Sequence, residues 1–278
     1  MIFKIAVAQY PIQFHNSFLD WQKFVFDFSK PAENCQLLVF PEYGSLDLTS
    51  LLTEEERKLE NQIYFLQKHL KNFLDTFSDL AKKRNQVILA PSFPIIENNK
   101  AFNRAFLFNS KGVMGFQDKY KMTRFEKEQW IVSSSMNPQI CFETDFCLLG
   151  TTICYDSEFS NLAKTFAHQG AHLLLVPSCT ETLHGMNRVQ IGARARALEN
   201  QFYVAVAPTV GEAKWSPAVD VNTGQALVCG PPDLGFPENG ILSLGEINKP
   251  CWVEAEIDTN KIETVRKNGA VLNYQDSF

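Results

Sequence analysis

Apolar residues follow two rhythms along this chain. Short runs closed by proline or a polar turn read as buried strands: residues 2–8, ending at Gln9-Tyr10-Pro11; residues 35–40, stopped by Pro41; and residues 86–90, stopped by Pro91. Between them the spacing lengthens. Aromatic positions three and four apart across 18–28, and Leu66, Leu70, Phe73, Phe77 and Leu80 within 54–85, predict amphipathic helices. Residues 101–108 and 113–116 flank Asn109-Ser110-Lys111-Gly112, the pattern of a hairpin. Strands over 147–153 and 171–176 bracket a helix over 161–169. A further helix over 184–200 carries Gly185, Gly192, Ala193, Ala195 and Ala197, small enough for close packing. A strand over 201–207 follows, with late strands at 224–229 and 251–257. The Gly- and Pro-rich stretch 208–250 reads as loops between short antiparallel strands. With no repeat, low-complexity tract or linker, the pattern predicts one layered α/β domain over 1–278.

Composition narrows the function classes. At 45% hydrophobic and 21% charged residues, the 278-residue chain is too apolar for disorder. A net charge of −5 gives no cationic field for nucleic acid. No apolar run approaches the ~20 residues of a membrane span, and residues 1–11 lack signal-peptide features, so the expectation is a cytoplasmic protein without a membrane partner. Seven cysteines, an odd number without a CxxC pair, predict reduced thiols rather than a zinc knuckle or redox pair.

Two strand ends carry reactive groups. The run 37–41 ends at Glu42, and the run 148–153 ends at Cys154, followed by Tyr155-Asp156 and a helix. Groups placed where strands give way to loops converge on clefts in α/β proteins. An acid directly after an apolar strand is partly desolvated, which raises its pKa toward that of a proton shuttle. A cysteine at a strand-to-helix turn lies near free backbone N–H groups, which favour a thiolate and can hold an oxyanion. The plainer readings are a solvated loop acid and a core thiol. Cys179 sits at a similar strand end, and periodicity does not choose between the two thiols. Arg196 and Glu199, three apart on one helix, read as an intrahelical ion pair. His168 and His172 are interrupted by Gly170, which argues against a metal pair.

Further motifs change the balance. Phe40-Pro41-Glu42, Asp118-Lys119-Tyr120 and Ile153-Cys154-Tyr155-Asp156 resemble, in order, the three motif blocks of the nitrilase (carbon–nitrogen hydrolase) superfamily. Residues 170–178 and 194–200 resemble its next two blocks, and Ile5-Ala6-Val7-Ala8-Gln9 its opening. The resemblance implies a four-layer αββα sandwich and an amidase-type enzyme without metal or organic cofactor. It assigns Glu42 as general base, Lys119 as catalytic lysine and Cys154 as nucleophile, with the Tyr155 N–H as an oxyanion donor. Lys121 is the alternative lysine. An auxiliary acid is expected in the loop after the lysine, Glu126 ahead of Glu128, and Tyr43 and Glu158 are expected on the pocket wall. Loops 44–54, 125–138 and 181–184 are expected to shape that pocket. The implied substrate is a small linear amide (an ω-amide or a carbamoyl amine), with a nitrile as alternative, and the implied assembly is a homodimer or higher homo-oligomer. Readings of another class are a non-catalytic interaction protein on the same fold and a Cys–His peptidase.

Overall fold

A computed structural model describes residues 1–277. Its first sheet is built around β1 (Ile2–Pro11), which runs parallel to β2 (Leu37–Val39) and antiparallel to β14 (Cys251–Asp258). β3 (Val87–Leu89) continues parallel beyond β2, and β5 (Lys100–Asn109) pairs antiparallel with β3, with β4 (Phe93–Glu97) and with β6 (Gly112–Asp118). In the second sheet β8 (Leu148–Thr151), β9 (Leu173–Ser178) and β10 (Tyr203–Glu212) run parallel. β7 (Phe142–Glu143) borders β8, β12 (Leu227–Cys229) and β13 (Ile241–Leu244) extend the sheet past β10, and β11 (Val221–Asn222) folds back on the end of β10. The two sheets join where the end of β1 runs beside the end of β10, Tyr10 opposite Thr209 and Pro11 opposite Val210.

Alternation along the strands sorts residues between two cores. Ile5, Val7, Leu37, Val39 and Leu107 of the first sheet share one apolar cluster with Leu149, Leu173, Leu175, Val204 and Val206 of the second. The neighbouring positions Ala6, Ala8, Leu38, Phe40 and Ile88 face the other way. They pack on Trp21 and Val25 of α1 (Phe18–Phe28) and on Phe73, Phe77 and Leu80 of α3 (Leu70–Arg84). α5 (Ser160–His168) and α6 (Leu183–Asn200) add Ala163, Phe166, Ala193 and Ala197 to the second sheet's cluster. The result is helix, sheet, sheet, helix. Two glycines permit that closeness: a Cβ on Gly150 would stand 2.4 Å from the Phe166 ring, and one on Gly192 would stand 3.0 Å from the Ser157 carbonyl oxygen. Among the described residues no helix is long and apolar enough to cross a membrane.

Three local readings change. The stretch 54–85 divides into α2 (Leu59–Leu66), a 3₁₀ turn (Gln67–His69) and α3. Strand β4 was hidden by Pro94; it survives because proline is tolerated at a sheet edge, where its missing N–H leaves no ladder partner unpaired. Residues 44–51, expected as a pocket loop, form a buried 3₁₀ segment (Gly44–Leu51). Chain order is completed by α4 (Arg124–Glu128), α7 (Thr259–Asn268) and α8 (Asn273–Asp276).

Candidate active site

Strand ends from both sheets deliver the reactive groups. After β2, Phe40 donates its N–H to the Leu89 carbonyl at 2.9 Å, and Tyr43 adopts the left-handed conformation (φ 55°) with its N–H on Ser92 Oγ at 2.9 Å. That sharp turn holds Glu42 at the sheet end. Lys119 directly follows β6, its N–H on the Asn103 carbonyl at 2.9 Å. Cys154 opens a 3₁₀ turn (Cys154–Glu158) after β8 at φ 49°, a conformation a side chain seldom adopts. Such strain concentrates where the surrounding structure holds a reactive group in place.

These three groups meet. Lys119 Nζ lies 2.7 Å from Glu42 Oε1 and 2.8 and 2.7 Å from Glu126 Oε1 and Oε2. Asn103 Nδ2 also donates to Glu42 Oε1, at 2.8 Å. Glu126 is turned inward by a capping box on α4: Thr123 N–H and Oγ1 donate to Oε2 at 2.8 and 2.9 Å, and Tyr43 OH donates to Oε1 at 2.8 Å. Glu42 and Lys119 are each 1% exposed, Glu126 2% and Cys154 4%, so their charges are settled among themselves rather than by water.

Burial, reinforced by Glu126 and opposed by Lys119, raises the Glu42 carboxyl above its ordinary range. Burial also works against charge on Glu126, but Lys119, the Thr123 N–H and Tyr43 outweigh it and hold this acid below its usual value. Burial alone would discharge Lys119; Glu126 and Glu42 instead keep it an ammonium well past its usual pKa. The Cys154 thiol is pushed well up by burial and by Glu42, with Lys119 pulling the other way. Burial and the neighbouring carboxylate thus work against the thiolate that free backbone N–H groups at the strand-to-helix turn would favour. Cys154 Sγ lies 3.6 Å from the Cys179 carbonyl oxygen, and Glu42 also acts on it as a hydrogen-bond acceptor.

Cys154 opens into a cavity of about 430 Å³ lined also by Tyr155, Glu158, Cys179 and Arg188. Tyr155 stands edge-on to Phe159, ring centroids 4.9 Å apart, and Glu158 accepts from Arg188 Nε at 3.3 Å. Tyr43 is not on this wall; its hydroxyl is committed to Glu126 inside the cluster. Phe125, Gln129, Glu181 and Thr182 line the cavity, as two of the three expected loops require, whereas residues 217–221 line it unexpectedly and 44–54 do not. Nothing in the Gly- and Pro-rich stretch marked 217–221, because its approach to Cys154 depends on how the β10–β11 hairpin folds back.

The alternatives separate in space. Lys121 lies over the Phe159 ring, 5.4 Å from its centroid, and Glu128 pairs with exposed Arg124 at 2.8 Å. Cys179 shares the cavity, but its Sγ is 3.3 Å from Asn222 Oδ1, and burial pushes its thiol up to about 12. Arg196 pairs with Glu199 at 3.0 Å and also donates to the Ser157 carbonyl at 3.3 Å, so it braces the Cys154 turn from α6. His172 pairs with Glu263 at 3.4 Å. Among the described residues no group of three His, Cys, Asp or Glu side chains is placed to hold a metal ion. Asn103 escaped the sequence reading. Its signal was the polar pair Asn103-Arg104 inside an apolar strand: Arg104 answers Asp118 at 2.6 Å, while Asn103 answers Glu42.

Residues 4–243 match the family described as Carbon-nitrogen hydrolase. The chain is 31% identical over 275 residues to "Probable hydrolase YhcX" of Bacillus subtilis, covering 98% of this chain and 53% of that protein. It is 29% identical over 150 residues to "Omega-amidase NIT2-B" of Xenopus laevis, covering 51% of this chain and 54% of that one. The matches thus span about half the length of these curated relatives. Among solved structures, Saccharomyces cerevisiae Nit3, a member of branch 10 of the nitrilase superfamily, shares the fold with a TM-score of 0.73 at 22% identity, covering 100% of this chain and 97% of that one.

Proposed function

We propose that this chain, which belongs to the carbon–nitrogen hydrolase family, hydrolyses a small linear amide, an ω-amide or a carbamoyl amine, through a thioester on Cys154. One observation carries the reading. Glu42 Oε1 is taken by Lys119 and Asn103, which leaves Oε2 for the adjacent Cys154 thiol, a hydrogen-bonding neighbour of this carboxyl. The raised pKa of Glu42 makes that oxygen a better base, and its burial keeps the transfer out of water.

The thiol proton passes to Glu42 as sulfur bonds to the carbonyl carbon. Negative charge then gathers on the former carbonyl oxygen. Lys119, held as an ammonium by both carboxylates, is one donor to that oxygen. The Tyr155 N–H, second in its 3₁₀ turn and without a partner inside it, is the other donor. Glu42 returns its proton to the departing nitrogen as the C–N bond breaks. Water then attacks the thioester while Glu42 takes a proton from it. The acid leaves, and the proton goes back to sulfur. Glu126, saturated on both oxygens, stays charged throughout and keeps Lys119 an ammonium.

An ammonia-release screen over small amides, carbamoyl amines and nitriles tests the reading, with Cys154→Ala and Cys179→Ala beside the unaltered protein. Turnover falling about 10⁴-fold or more in the first variant, and persisting in the second, is expected. Activity that survives Cys154→Ala overturns it. A nitrile as the best substrate would keep the residues and change the substrate class.

A further inference from the structure

Asp156 lies two residues past Cys154 with a carboxylate that is buried yet takes its hydrogen bonds from main chain alone. Oδ1 accepts from the Lys121 N–H at 2.6 Å and from the Tyr120 N–H at 3.2 Å. Oδ2 accepts from the Tyr120 N–H at 3.1 Å and from the Ile153 N–H at 3.3 Å. Tyr120 and Lys121 are the two residues after Lys119, and Ile153 is the residue before Cys154. One side chain therefore holds both the segment that presents the ammonium and the turn that presents the sulfur. The topology gives this tie weight. Lys119 hangs from β6 in the first sheet and Cys154 from β8 in the second, and among the described residues the sheets share a ladder only at the ends of β1 and β10. No strand register sets the distance between ammonium and sulfur.

We propose that Asp156 is a positioning residue: it fixes the Lys119 segment against the Cys154 turn, so that the ammonium is aimed at the oxygen of a substrate bonded to sulfur. The inference rests on the proposed function. A carboxylate suits the task because it offers acceptors on both oxygens, whereas an amide offers one and turns an NH₂ toward a backbone N–H. Lys119 lies near enough to favour the charged form, and burial resists it, lifting the Asp156 carboxyl to about 7. The tie is thus a costly group kept in place by its geometry.

The test is Asp156→Asn, read without a known substrate. Acrylamide presents an amide to Cys154: sulfur bonds to its terminal alkene carbon, and the thiol proton ends on the carbon beside the carbonyl. Adduct formation followed by intact mass against acrylamide concentration gives a maximal rate and a half-saturation concentration. A misplaced ammonium loses about 100-fold in maximal rate. The expected result is that loss with half-saturation unchanged within about threefold and an unaltered circular dichroism spectrum, while Glu128→Gln, on the exposed ion pair, labels like the unaltered protein. Equal maximal rates in Asp156→Asn and the unaltered protein, or a loss confined to thermal stability, overturn the positioning role and leave the proposed function standing. Absence of both a Cys154 adduct and ammonia release from acrylamide in the unaltered protein overturns the proposed function itself. Should Asp156→Asn not fold, hydrogen exchange of the unaltered protein decides: Tyr120, Lys121 and Ile153 amides as slow as those of β9 support the tie, and exchange at open-loop rates overturns it.

Discussion

Two buried carboxylates sit at either side of the start of the same 3₁₀ segment, Gly44–Leu51, and the proposed chemistry rests on only one of them. Asp47 accepts from Tyr10 OH at 2.6 Å and His15 Nε2 at 3.4 Å on Oδ2, and from the Gln13 N–H at 2.8 Å on Oδ1. Glu42 accepts from Lys119 and Asn103 on Oε1. Burial raises both acids above their usual range, so a perturbed pKa does not tell them apart. What differs is commitment and access. Both oxygens of Asp47 are engaged, and the partners are a phenol, an imidazole and a backbone N–H. Glu42 keeps one oxygen toward a thiol that opens into a cavity. A buried polar cluster is a staple when every acceptor is used; one acceptor left facing a nucleophile turns it toward catalysis.

The strongest way to break that contrast is Lys119→Met. Two carboxylates then face each other without a cation, and breaking such a buried set costs about 3–5 kcal/mol of folding stability. Turnover should fall about 10²- to 10³-fold with the oxyanion donor gone. Chemical denaturation and kcat check the two parts; a variant that is folded and fully active would end the Lys119 assignment.

Asp47→Ala is the matched control. It strands the Tyr10 hydroxyl and the Gln13 N–H, for ~3 kcal/mol lost, while kcat of the folded protein should hold. A drop in kcat with stability intact would merge the two clusters and defeat the comparison.

pH sharpens it further. The base must be unprotonated, so kcat/KM should rise with pH through a midpoint above the ordinary range near 4.5, belonging to the coupled Glu42–Cys154 pair rather than to one group. Lys119 is held above its usual 10.5, so no loss from lysine ionisation is expected near neutrality. Stability follows different signs. The Glu126 contribution is present above 4.5 and is lost as pH falls through its lowered pKa. That of Lys119 is present below 10.5 and is lost as pH rises through its raised one. Glu42 contributes fully below 4.5 and loses that contribution as pH rises through its raised pKa. Denaturation and rate profiles on one buffer series would expose a rate midpoint at the ordinary Glu value, which contradicts a buried base.

The smallest effect belongs to the cavity rim. Arg188 and Glu158 pair at 3.3 Å where solvent reaches the guanidinium, a geometry worth under ~1 kcal/mol. Arg188→Ala should leave melting temperature nearly unchanged and alter KM more than kcat, in a salt-dependent way. A large kcat loss there would move the chemistry away from the buried floor.

How far the site could be read in advance varies residue by residue. Glu42 and Cys154 stood out as candidates because each follows an apolar strand directly, but a strand end alone did not separate Cys154 from Cys179, and the motif resemblance made that choice. Glu126 and Glu128 lie two apart in one charged stretch, and composition treats them alike. The capping pattern from Thr123 to Glu126 separates them, since it bends Glu126 back onto its own helix start and into the cluster. Asn103 shows the opposite case. Its contact with Glu42 spans 61 residues and depends on a hairpin lying across a sheet end.

Order and spacing along the chain were enough to specify alternating strands and helices, the apolar faces that become two cores, and the reactive groups at strand ends. These depend on periodicity and on neighbours in sequence. Which oxygen of Glu42 is left open, which acid holds Lys119, and how two separate sheets bring an ammonium beside a sulfur were decided only by tertiary packing. Hydrogen-bond saturation and desolvation are properties of groups that meet in space, and no stretch of sequence contains both partners.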